Sequence, residues 1–90
     1  MERVLLKIHG KVQGVFFRAT TRNEASKLGL CGSVKNTHDG CVEVIAEGKR
    51  ESLETLIKWC NEGPSLARVD QVEIFWEKAS GNLSSFQITH

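Results

Sequence analysis

Arg18 and Asn36 are the two side chains here whose type and setting could do chemistry, and the chemistry would be that of an anion. Arg18 belongs to the run KVQGVFFRAT, residues 11–20, where an apparent strand gives way to an apparent helix. Aligned peptide dipoles leave partial positive charge at a helix N-terminus, so an unpartnered cation there costs roughly 0.3–1 kcal/mol. A tight turn containing Gly14 also leaves backbone N–H groups free to converge on an anion. A bound phosphate would satisfy those groups and the planar fork of Arg18 together. The same spacing suits an ordinary strand-to-helix turn with a solvated arginine. Asn36 offers an amide donor and acceptor that could hold a water beside a phosphate, although asparagine before a turn often bonds its own backbone. Thr37 and His38 read as turn residues.

These residues must be held by the elements around them. Val4, Leu6 and Ile8 alternate with Arg3, Lys7 and His9, the period of a half-buried strand ending near Gly10. Phe17, Thr21, Ala25 and Leu28 mark one face of a helix that starts close to Arg18 and closes at Gly29. Two β-rich runs flank Asp39-Gly40, a hairpin signal because glycine accepts positive φ. Leu53, Leu56, Ile57 and Cys60 give a second helix, with Glu51 and Glu54 in its first turn and Gly63-Pro64 at its end. Val72, Ile74 and Trp76 alternate as a fourth strand, and Phe86 and Ile88 suggest a short last one. The order βαββαβ plus a terminal strand predicts an α+β, ferredoxin-like split βαβ sandwich, one mostly antiparallel sheet with two helices on one face. Strand two then returns parallel to strand one, and the loop over residues 11–17 should approach Lys35, Asn36 and Thr37.

A chain of 90 residues predicts a single domain over residues 1–90. No apolar run is long enough to span a bilayer and the start carries no secretory pattern, so a soluble, cytoplasmic, monomeric protein is expected. Cys31, Cys41 and Cys60 are odd in number and show no CxxC spacing, and they read as small buried hydrophobes. His9, His38 and His90 are scattered, so neither a metal nor another cofactor is expected. The net charge of +1 argues against a general nucleic-acid binder. The charge is uneven, however: residues 1–40 hold seven Lys/Arg against three Asp/Glu, which favours an anionic ligand near the first half.

The run GKVQGVFFR, residues 10–18, resembles the first signature of the acylphosphatases, and GSVKNTHDGCVEVIAEG, residues 32–48, resembles the second. The likeness continues through GPSLARVDQVE to the closing SFQI. It implies a five-stranded ferredoxin-like sandwich that hydrolyses small acyl phosphates to a carboxylate and inorganic phosphate, without a metal. By position it implies that Arg18 binds phosphate with the backbone amides of Val12, Gln13, Gly14, Val15, Phe16 and Phe17. Asn36 would orient the attacking water, with Thr37 supporting it. Ser33 stands where such proteins usually carry an aromatic residue, and a smaller side chain there would loosen the neighbourhood of Asn36.

Other functions share this element order. A noncatalytic phosphate-binding or regulatory module would keep the cradle and position water poorly. An RNA-binding RRM would need aromatics on its central strands, but the positions expected to face outward are Leu5, Lys7, His9, Glu43, Ile45 and Glu47. A metal chaperone would need paired thiols near the first loop, which this sequence lacks.

Overall fold

The computed structural model describes residues 1–89; His90, one of the scattered histidines, lies outside them. Along the chain come β1 (Glu2–Lys11), α1 (Phe17–Lys27), β2 (Cys31–Asn36), β3 (Val42–Gly48), α2 (Arg50–Glu62), β4 (Arg68–Glu77) and β5 (Phe86–Ile88). The strands form one sheet in the order β4-β1-β3-β2-β5. β3 runs antiparallel to both β1 and β2, so those two strands point the same way and their carboxyl ends meet at one end of the sheet. β4 is antiparallel to β1, and β5 alone is parallel to its neighbour, β2. This is the expected ferredoxin-like α+β arrangement.

The period-two pattern decides which face is buried. Val4, Leu6 and Ile8 of β1 pack with Val34, Val42 and Val44 against Phe17 and Ala25 of α1 and Leu53, Leu56 and Cys60 of α2. Burying each such side chain contributes about 1.5–3 kcal/mol, which outweighs the weak propensities of short helices. α1 ends where Gly29 turns to a φ of 72°, a left-handed stop. No helix among the described residues is long and apolar enough to cross a membrane.

Several side chains differ from expectation because the order of strands decides their burial. β4 is an edge strand, so Val72 is only half-buried, while Ile74, Phe75 and Trp76 are 42%, 48% and 37% exposed. Trp76 is partly covered by the guanidinium of Arg50, 3.7 Å from its ring centre. Cys41 and Cys60 are buried, but Cys31 is half-exposed, since Gly32 and Val34 take the core-facing positions of β2.

Glu47, expected to face solvent, is only 2% exposed. Its carboxylate accepts from Ser80 N–H and Oγ–H at 2.9 Å each, from Gly81 N–H at 3.1 Å, and from Arg3 Nη1 at 3.3 Å. It thereby fixes the β4–β5 connection to the sheet. The Ser80 backbone N–H, with Gly81 and Arg3, holds this carboxyl below the ordinary glutamate value. Glu47→Ala strands two backbone donors and is expected to cost about 2–3 kcal/mol, read as a lower urea midpoint. Because the folded pKa lies below the unfolded value of 4.5, the stabilisation is complete above 4.5 and is lost as pH falls through the folded pKa. Wild type should therefore lose stability on acidification more steeply than the variant.

Candidate active site

The segment between β1 and α1 is pinned by its apolar residues. Val12, Val15 and Phe17 are buried, and Phe17 packs on Trp59 with ring centres 5.5 Å apart. Between these anchors Gly14 and Phe16 take positive φ, 72° and 66°. Glycine does so freely, whereas an aromatic residue in this region pays roughly 1–2 kcal/mol. Packing does not hold Phe16 there, since its ring is 74% exposed. A left-handed residue on either side of Val15 turns successive N–H groups toward one concavity, the geometry of an anion nest.

Among the described residues, no backbone or side-chain acceptor takes a hydrogen bond from the N–H groups of residues 14–19. α1 also opens without a side-chain cap or an acidic residue in its first turn. Arg18 is half-buried and forms no ion pair among the described residues. A cation and uncapped donors at a positive helix end make an arrangement suited to an anion.

Asn36 reaches the same place from β2. It lines, with Val12, Gly14, Phe16, Phe17, Arg18, Ala19 and Ile88, an open cleft of about 520 Å³. Its Oδ1 is buried and has no hydrogen-bond partner among the described residues. Buried amide oxygens are seldom left this way. Among the described residues, no carboxylate and no imidazole lines the cleft, and no three His, Cys, Asp or Glu side chains converge as metal ligands would.

The expected approach of the first loop to the end of β2 is therefore present, and Gln13 secures it. Gln13 Nε2–H donates to the carbonyls of Thr37 at 2.8 Å and Cys41 at 2.9 Å, tying the loop to the β2–β3 turn. Sequence reasoning took Gln13 only for its backbone amide; the alignment of the two strand ends reveals its side chain. Thr37 stays in the turn, its hydroxyl bonded to Asp39 and to the Cys41 carbonyl at 3.2 Å, and it does not line the cleft. Ser33 pairs with Ile45 on the helix-free face and is absent from the cleft lining.

The profile of the family described as Acylphosphatase matches residues 4–88. The chain belongs to this family. An acylphosphatase from Thermococcus kodakarensis is 49% identical over 86 residues, 96% of this chain and 93% of that one. Another, from Roseiflexus sp., is 46% identical over 88 residues, 98% and 95% of the two chains. The crystal structure of acylphosphatase from Bacillus subtilis superposes with a TM-score of 0.96 at 31% identity, each chain covered in full. The chain is thus an acyl phosphate hydrolase of the acylphosphatase family.

Proposed function

We propose that the cleft holds the phosphoryl group of a small acyl phosphate and that Arg18 and Asn36 divide the catalytic work. The N–H groups of the loop and of the first turn of α1, with the Arg18 guanidinium, bind the phosphate oxygens and stabilise charge in the transition state. Asn36 accepts a hydrogen bond from the attacking water through Oδ1 and sets it in line with the bond that breaks. The carboxylate departs as a good leaving group, its conjugate acid having a pKa of roughly 4. A loose phosphoryl transition state asks little of a general base, in keeping with a cleft that neither carboxylate nor imidazole lines among the described residues. The orphaned Asn36 Oδ1 is the observation that carries this reading.

The reading needs no metal, and it takes the protein to act as a monomer in the cytoplasm. Gly14, Phe16, Arg18 and Asn36 all reach the cleft from one chain. The experiment is release of phosphate from a synthetic acyl phosphate by the purified protein in the presence of a chelator. Turnover supports the metal-free mechanism. Phosphate binding without turnover would instead identify a regulatory module, and turnover only after adding a divalent cation would refute the mechanism.

A further inference from the structure

Cys41, His9 and Glu73 form a hydrogen-bonded chain that the acylphosphatase chemistry does not use. Cys41 immediately precedes Val42, whose partner across the ladder is Ile8, so Cys41 lies beside His9 on the helix-free side of the sheet. Its Sγ is 3.3 Å from His9 Nδ1, and His9 Nε2 is 2.6 Å from Glu73 Oε2. The carboxylate accepts from Nε2–H, which leaves Nδ1 free to receive the thiol proton. A nucleophile, a base within hydrogen-bond reach and a third group orienting that base are the parts of an activated-nucleophile site.

We infer that Cys41 is a modification site, a thiol that exchanges with low-molecular-weight disulfides using His9 as its base and Glu73 to orient that base. In the step, His9 Nδ1 takes the S–H proton while Sγ attacks one sulfur of the disulfide. The S–S bond breaks, a mixed disulfide forms on Cys41, and the departing thiolate takes the proton from His9. The Cys41 sulfur is oxidised as the departing sulfur is reduced, so the disulfide is the only oxidant needed.

The surroundings explain why a base is required. Burial, and then the Asp39 carboxylate, push the Cys41 thiol up, and its Sγ rests within reach of His9 Nδ1. The groups bordering it are Lys7 and Glu73 on the neighbouring strands and Thr37 and Asp39 in its own turn. Lys7 and Asp39 pair at 2.7 Å, with side chains 36% and 53% exposed. Exposed pairs of this kind contribute little, so a reagent parts them readily.

The Cys41 carbonyl also holds Gln13 of the phosphate loop. An adduct on Sγ displaces the turn that anchors this loop and lowers phosphatase turnover. The exchange stands by itself; only this consequence rests on the proposed catalytic site.

The test uses oxidised glutathione with the folded Cys31→Ser protein, which removes the half-exposed competing thiol. Cys60, pushed up to about 12 by burial, is the internal unreactive reference. Mass spectrometry should place a reductant-reversible adduct on Cys41, absent when Cys41→Ser is added. His9→Gln, which keeps hydrogen-bonding reach without a comparable base, should slow its formation roughly a hundredfold, the low end for general-base catalysis. Glu73→Gln should slow it less. If His9 only packed against Cys41, its replacement would speed labelling instead. Labelling as fast or faster in His9→Gln, or Cys41 reacting no faster than Cys60, overturns the proposal. Phosphate release should fall in proportion to the adduct and return with reductant; an adduct that left turnover unchanged would overturn the link to the loop while leaving the phosphatase intact.

Discussion

Arg18→Ala is expected to lower kcat/KM for acyl phosphate hydrolysis on the order of 10³-fold, in line with what one arginine contributes to phosphoryl transfer. That corresponds to about 4 kcal/mol of transition-state stabilisation. The loss should be specific to the ligand, because Arg18 makes no ion pair within the described protein that its removal would break. Removing a cation from the positive end of α1 should even leave the free protein equally or slightly more stable, by roughly 0.3–1 kcal/mol. Arg18→Lys keeps the charge without the planar fork and should recover only part of the rate. Steady-state kinetics beside urea unfolding separate the two effects. An alanine variant within tenfold of wild type would remove Arg18 from the mechanism.

Asn36→Ala should instead act on kcat, by about 10²-fold, the scale on which misplacement of a reacting group is felt. Competitive inhibition by inorganic phosphate should change little, since the loop amides and Arg18 remain. Stability should also hold, because Asn36 Oδ1 has no partner among the described residues to be stranded by its removal. Asn36→Asp offers a sharper contrast: the side chain keeps its acceptor but brings a negative charge beside the bound phosphate, so binding should weaken too. Unchanged kcat in Asn36→Ala would end the water-positioning role.

The sequence was most legible where one element decides its own pattern. Val4, Leu6 and Ile8 announce the buried face of β1 because alternation is local, and Phe17, Thr21 and Ala25 do the same for α1. It was least legible where distant segments meet. Nothing within β4 says that it lies at the edge, so Val72 reads as core although it is half-buried. Glu47 reads as solvent-facing because its covering donors, Ser80 and Gly81, belong to a connection far along the chain. At the site, Arg18 betrayed itself as a cation at the wrong helix end. The left-handed backbone of Phe16 gave no signal, since it runs against the preference of its own side chain.

The order β4-β1-β3-β2-β5 governs when the protein can begin to work. Every residue assigned a role in acyl phosphate hydrolysis lies in the first 36 positions, yet Ile88 completes the cleft and β1 gains its second neighbour only from β4. A growing chain therefore possesses its reactive groups long before it possesses a place to put them. Pairing the first strand with one more than 60 residues later closes a large loop, as Lys7 with Glu73 illustrates, and such distant contacts form slowly. Nascent chains should thus remain inert during synthesis, with activity arriving as a single late event once β5 is made.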